Sequence, residues 1–362
     1  MKILIDINHP AHVHYFRNFI KLMEAKGHKF CIINRDNEMI NGLLDYNGIE
    51  HIIRGSRQNK KVSLIKTLYG LAKTVAFNVK ISRRFKVDMY VGFASAPCAL
   101  ASFFLRKPCV LLDDTDHNIK NQTIYLPFVS RVILPFYFYN KLFDSYIGKR
   151  KSCILNAYIE QLYLHSSVYN ANSEALEKLS LKRKEYVIVR FSAFDASHDA
   201  KVVHLSNELR KDIIRKVSEK YRVILSIEKP SEDPFFEQYI VNFPPQEMHD
   251  LLFNAKFLVT EGATMASEAF VLGVPYLYLN PLKCGNIEYQ CNNFQKRAYK
   301  SLDEITIMNM IDRLIHVEVN QNAERTRLEQ QTDNPTKLLV NYIDSWPKYK
   351  NNKQMLSIFI TK

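Results

Sequence analysis

Short apolar runs alternate with amphipathic stretches along the first half of the chain. Ile3–Ile7, Lys29–Ile33, Ile49–Ile53, Met89–Val91, Val110–Leu112 and Val132–Leu134 read as strands. Helical periodicity fills the gaps, the longest stretch running over about Ser63–Phe85. Strand and helix alternating at this spacing imply a parallel sheet covered on both faces. The pattern weakens over Asn156–Lys184, which is polar and tyrosine-rich, and then restarts. Tyr186–Phe191, Arg222–Ile227, Phe257–Thr260 and Tyr276–Leu279 read as strands. Asn207–Lys220, Gln246–Phe253, Met265–Leu272 and Ile305–His316 read as helices. The spacing therefore predicts two Rossmann-like domains with a cleft between them, residues 1–168 and 169–345, followed by a tail at 346–362.

Composition narrows the chemistry. The 362 residues include only 10 glycines, and neither a Walker-type loop nor a G-x-G-x-x-G is present. A P-loop NTPase and an ordinary NAD-binding Rossmann enzyme are thereby disfavoured. The net charge is +13, which fits nucleic acid, an anionic membrane or a phosphorylated small substrate. No zinc-finger spacing, RNP-like strand or basic recognition helix accompanies the charge, so nucleic acid is not expected. The six cysteines form no C-x-x-C pair; they read as reduced core residues of a cytoplasmic protein with no metal centre. Met1–Asp6 is too short and too quickly polar for a signal peptide. No apolar window is long enough to span a bilayer. Two segments could still lie on one: the basic, amphipathic Lys60–Phe85 and the apolar, aromatic Thr123–Tyr139.

Four clusters carry candidate chemistry. His9, His12 and His14 fall just after the first strand, at the opening of a helix that closes at Gly27-His28. Ligands of open α/β sheets sit at that carboxyl edge. The helix dipole disfavours an imidazolium there and keeps the ring neutral, as a general base must be. Leu112-Asp-Asp-Thr-Asp-His-Asn118 follows another first-half strand and offers Asp113, Asp114, Asp116 and His117. Val189–Asp199 follows the first strand of the second half; Arg190 suits a phosphate, with Ser192, His198 and Asp199 as further polar contacts. Finally, Glu261-Gly-Ala-Thr264 joins a strand to a helix. The N–H groups of Gly262, Ala263 and Thr264 suit a diphosphate, and Glu268, one turn on, suits ribose hydroxyls.

Ala11–His28 resembles the "G-H-x-x-P … L-x-x-R-G-H-x-V" opening of GT-B glycosyltransferases, with Ala11 for the usual glycine and Tyr15 for the proline. More closely, the chain resembles the DUF354 family of GT-B-like proteins. The matching stretches are Asp6–Val13, Asp113–His117, Val189–Asp199 and Glu261–Glu268, in order along nearly the whole chain. Asn156–Leu164 looks like a degraded form of that family's Gly-aromatic-x-Glu segment.

The resemblance implies a nucleotide-sugar, taken as a UDP-sugar, held by the second domain. Gly262, Ala263 and Thr264 would contact the diphosphate, Glu268 the ribose, and Arg190 the departing phosphate. Arg190, Ser192, His198 and Asp199 complete the donor set. His12 falls on the catalytic histidine and would deprotonate an acceptor hydroxyl, with Asp114 and Asp116 beside it; His9, His14 and His117 would hold the acceptor. The expected activity is sugar transfer to a sugar or lipid-linked acceptor in surface polysaccharide or glycoconjugate synthesis. No cofactor or metal is required, and contact with the inner face of the membrane is possible. The alternatives are a non-hydrolysing UDP-sugar 2-epimerase using Asp113, Asp114 and Asp116, and a non-catalytic nucleotide-sugar or membrane-binding module.

Overall fold

The computed structural model describes residues 1–55, 64–191, 205–227 and 233–349. The chain forms two compact units: Met1–Tyr163 with the chain from Thr332 on, and Leu164–Gln331.

The first unit holds β1 (Lys2–Ile7), α1 (Pro10–Glu24), β2 (Lys29–Arg35), α2 (Glu38–Tyr46), β3 (His51–Arg54), α3 (Leu64–Phe85) and β4 (Met89–Phe93). It continues with α4 (Ala96–Phe104), β5 (Cys109–Leu112), α5 (Ile119–Tyr125), β6 (Arg131–Pro135), α6 (Tyr146–Lys151) and β7 (Ser152–Leu155). The seven strands run parallel in the order β3-β2-β1-β4-β5-β6-β7. β1 is central and buried on both faces, which is why Ile3, Leu4, Ile5 and Ile7 form a near-continuous apolar run. The chain winds from β1 outward to β3, then returns to β4 beside β1. That reversal makes the carboxyl ends of β1 and β4 a topological switch point, where such sheets bind ligands.

α1 starts where His9 caps it and Pro10 presets its first turn. Past its end at Glu24 the chain turns at Gly27, whose φ of +83° suits glycine, with the His28 N–H donating to the Met23 carbonyl at 3.1 Å.

The second unit contains β8 (Tyr186–Phe191), β9 (Arg222–Ile227), β10 (Leu258–Thr260), β11 (Tyr276–Tyr278) and β12 (Ala298–Lys300). Its parallel order is β12-β11-β10-β8-β9. Here too the chain reverses, so the carboxyl ends of β8 and β10 form a second switch point. The core packs Val187, Val189, Ile213, Val259 and Leu277 against Ile307 and Ile311.

Four expectations change. The chain from Thr332 to Asp344, expected in the second domain, belongs to the first unit. The helix Pro335–Tyr349 packs on α1, burying Leu339, Tyr342 and Ile343, and Asp344 pairs with Lys26 and His28 at 2.9 Å each. An amphipathic helix must cover its apolar stripe, and this one does so against α1, so residues 346–349 are helix rather than loose tail. The boundary itself falls at Tyr163/Leu164 rather than after residue 168. Thr123–Tyr139, read as a segment that could lie on a bilayer, contains the buried strand β6 and the buried Tyr125, Leu126 and Val129; these side chains fill the core.

Candidate functional site

The first switch point is organised by a buried charge. Asp6 is fully buried in β1; it pairs with Arg54 at 2.6 Å and accepts from the Ser95 hydroxyl at 2.7 Å and the Asn8 amide at 3.2 Å. Arg54 also donates to the Asn8 side-chain oxygen. The ends of β1, β3 and β4 are thereby tied together. Sequence reasoning gave Arg54 and Ser95 no role; the signal was one carboxylate inside an apolar strand.

His9 spends its Nδ1 accepting the Ala11 N–H at 3.2 Å, as a helix cap. His12 is half-buried, its ring 5.0 Å from that of Phe93 at the end of β4. Burial, and then the neighbouring His9, push its imidazole down to about 3. Both effects favour the neutral ring. Its Nδ1 accepts the Asn8 N–H at 3.4 Å, which puts the ring proton on Nε2 and makes that nitrogen a hydrogen-bond donor. So poised, His12 is suited to donating a hydrogen bond, and its low proton affinity makes it a weak base. His14 is buried and stacks on Tyr163 at 5.4 Å between centroids. Two residues apart on one helix, His12 and His14 point to different faces.

The acidic loop after β5 separates its carboxylates into distinct jobs. Asp113 is fully buried and accepts from the Tyr125 hydroxyl at 2.5 Å, the Thr115 N–H at 2.9 Å and the Gln122 amide at 3.1 Å. It clasps the loop to α5. Asp116 accepts the Tyr139 N–H at 3.3 Å and holds a second turn. Asp114 is half-buried with a Thr115 hydroxyl at 3.2 Å. Burial, then repulsion by Asp113, push its carboxyl up to about 7. It is the group of this edge poised to exchange protons near neutrality. Phe93, against His12, pairs in register with Leu112, two residues before Asp114. His117 is exposed.

A residue given no role from sequence joins this edge. Glu160, just past β7, is buried. Burial, then Glu160 and Asp114, hold the buried Tyr137 phenol well above its ordinary range, so both carboxylates act on one hydroxyl. The signal was a lone glutamate within Ala157-Tyr-Ile-Glu-Gln-Leu-Tyr-Leu164.

At the second switch point, Arg190 of β8 is in register with Thr260 of β10, and the Glu261 N–H donates to the Arg190 carbonyl at 3.1 Å. The Arg190 guanidinium donates to the Ser226 hydroxyl at 2.7 Å. Glu261 is buried and accepts from Arg210 at 2.9 and 3.1 Å, while that guanidinium lies 5.1 Å from the Phe191 ring centre. This ion pair fixes the turn from beneath. Gly262 precedes the helix Ala263–Val271 and its own N–H donates to Thr260 Oγ1 at 2.9 Å; among the described residues no side chain caps the helix beyond it, and Thr264 is exposed. Gly262 has φ −94°, and a Cβ there would meet only Thr260 Oγ1 at 3.5 Å. Among the described residues nothing demands glycine at this position. Glu268 is buried one turn further on, its Oε1 3.1 Å from Nε2 of His249, a partner not foreseen from sequence. Ser192, His198 and Asp199 lie outside the described residues.

With this geometry in hand, comparison with known proteins is informative. A family model described as "Protein of unknown function (DUF354)" matches residues 1–346. The chain is 24% identical over 301 residues to the uncharacterised protein MJ0665 of Methanocaldococcus jannaschii, covering 78% of this chain and 82% of that protein. Among solved structures it is similar to UDP-GlcNAc 2-epimerase from Neisseria meningitidis bound to UDP-GlcNAc. The TM-score is 0.64 at 10% identity, over 96% of this chain and 100% of that one. It is also similar to the glycotransferase of kitacinnamycin, with TM-score 0.60 at 11% identity, over 95% and 98% of the two chains. The fold is thus GT-B-like, similar to that of a UDP-GlcNAc 2-epimerase and of a glycotransferase.

Proposed function

We propose that the chain, which belongs to the DUF354 family, binds a UDP-sugar through its second unit and performs acid–base chemistry on the sugar through its first. The observation that carries the reading is the open turn at the second switch point. There a helix start and a glycine that, among the described residues, are neither capped by a side chain nor sterically required occur with a buried glutamate within seven residues, Gly262 to Glu268. Backbone N–H groups and the helix dipole suit a diphosphate. The missing Cβ at Gly262 lets phosphate oxygens reach the backbone. Glu268, oriented by His249, accepts from ribose hydroxyls. Uridine is carried over from the N. meningitidis epimerase, which is bound to UDP-GlcNAc.

The reaction we favour is glycosyl transfer in polysaccharide or glycoconjugate synthesis. Asp114 takes the proton of an acceptor hydroxyl, while Nε2–H of His12 orients that acceptor. The acceptor oxygen bonds to the anomeric carbon as its bond to the diphosphate oxygen breaks. UDP leaves with the electron pair, its charge held by N–H groups of the turn. The role of base thus moves from His12 to Asp114, the group with the better-matched proton affinity. A second reading, 2-epimerisation, is favoured by one observation: the buried Glu160 gives the first unit a further carboxylate beside the acidic loop's Asp113, Asp114 and Asp116. Elimination of UDP to a glycal and its re-addition need proton transfer at the neighbouring carbon, which carboxylates serve.

The test is incubation of the full chain with UDP-sugars in D2O, with and without saccharide acceptors, followed by 1H and 31P NMR. Transfer predicts UDP release only with acceptor and no deuterium in recovered donor. Epimerisation predicts a second nucleotide-sugar, deuterated at C2, without acceptor. No turnover with either would overturn the catalytic reading.

A further inference from the structure

Helix α3 carries two apolar stripes, and the core needs only one. Leu71, Val75 and Phe85 face the core cluster shared with α4, while Asn78 and Ser82 on the same side are also buried. The opposite side of its first half carries Ile65, Leu68, Tyr69 and Ala72, spaced i, i+3, i+4 and i+7. Ile65 is 79% exposed, Leu68 55% and Tyr69 72%. A soluble helix normally turns polar residues outward, so three large apolar side chains in one exposed row call for an occupant.

Charge identifies that occupant. α3 has five basic residues, Lys66, Lys73, Lys80, Arg83 and Arg84, and no acidic one. On a helical projection Lys66, Lys73, Lys80 and Arg84 border the exposed stripe along one side. The surroundings have the same sign: residues 64–107 hold eight Lys or Arg against the single acid Asp88. At the far end of the neighbouring helix α4, Phe103 and Phe104 are also exposed, followed after Leu105 by Arg106 and Lys107. Exposed apolar residues bordered by cations alone suit lipid tails beneath anionic headgroups. Among the described residues no helix is long and apolar enough to cross a membrane.

We infer that the α3–α4 face docks on an anionic phospholipid bilayer, with Ile65, Leu68 and Tyr69 entering the interface and the α3 cations binding headgroups. The inference is independent of the nucleotide-sugar reading. It adds a location for the acceptor if that acceptor is lipid-linked.

The test is co-sedimentation of the full chain with vesicles of phosphatidylcholine alone and of phosphatidylcholine with phosphatidylglycerol. The chain is expected to sediment with the anionic vesicles and not the neutral ones, less so as salt is raised. Leu68→Glu with Tyr69→Glu should weaken that partitioning by at least about tenfold, with the melting temperature unchanged. Lys73→Gln with Arg84→Gln keeps the apolar stripe and should also weaken it by about tenfold or more, since each cation near an anionic surface contributes about fivefold. Equal binding to both vesicle types, or binding unchanged in either variant, overturns the inference. So does light scattering that shows a wild-type dimer turned monomeric by the Leu68/Tyr69 change, because a second copy then covers the stripe.

Discussion

Asp114→Asn should stabilise the protein at alkaline pH while abolishing its chemistry. The folded carboxyl sits at about 7, against 3.8 ordinarily, because of burial and the adjacent Asp113. Between those values the folded chain keeps a proton that the unfolded chain has released. Stability therefore falls as pH rises through that window, and the loss is complete above it. Linkage gives a penalty of about 2 kcal/mol at pH 5 and about 4 kcal/mol at pH 8. Asparagine keeps the shape without the charge, so its advantage over wild type should grow by roughly 2–3 kcal/mol between those pH values. For a unit of this size that is a gap widening by about 5–10 °C in melting temperature. The assay is thermal and urea unfolding of both proteins across that range. Taking the difference between them removes titrations they share. A gap independent of pH, or a variant less stable at pH 8, would refute the placement of Asp114 as a strained, proton-holding carboxyl.

His12 should act in the opposite sense. Its folded value of about 3 lies below the ordinary 6.5, so its contribution is present above 6.5 and drains away as pH falls toward 3. At pH 5 the loss is about 2 kcal/mol, and His12→Asn should remove that dependence in the same unfolding series. Gly262→Ala should leave the melting temperature unchanged, since a Cβ meets only Thr260 Oγ1 at 3.5 Å, yet weaken UDP binding at least about tenfold by crowding the phosphate. Calorimetry on the variant reads both. Gly148→Ala is the contrast: its Cβ would lie 2.4 Å from the Phe143 Cα, so urea unfolding should show a loss of about 1–3 kcal/mol from overpacking.

The strands of both sheets were legible because fully buried parallel strands read as unbroken apolar runs, as in Lys2–Ile7 and Tyr186–Phe191. β7 and β12 escaped notice: one has four residues directly after a basic helix, the other only three. The C-terminal helix was assigned to the wrong unit because an amphipathic stripe reveals that it needs a partner, not which partner. The site shows the same division. His12, Asp114, Gly262 and Glu268 were visible as polar or small residues just past apolar strands. Their states were not, because these depend on neighbours distant in sequence. Arg210 reaches Glu261 across 51 residues, and His249 reaches Glu268 from another helix. The base we propose, Asp114 in place of His12, follows from burial, which raises a carboxyl and lowers an imidazole at one sheet edge.

The most direct test of the central claim is titration of UDP into the wild-type chain and into Glu268→Gln, followed by calorimetry and thermal shift. UDP at 100 times its dissociation constant should stabilise the wild type by about 2.7 kcal/mol, with affinity at least about tenfold weaker in the variant, which loses a charged acceptor for ribose hydroxyls. Absence of UDP binding to the wild type, or equal binding to both, would contradict a nucleotide site at the turn between Thr260 and Glu268.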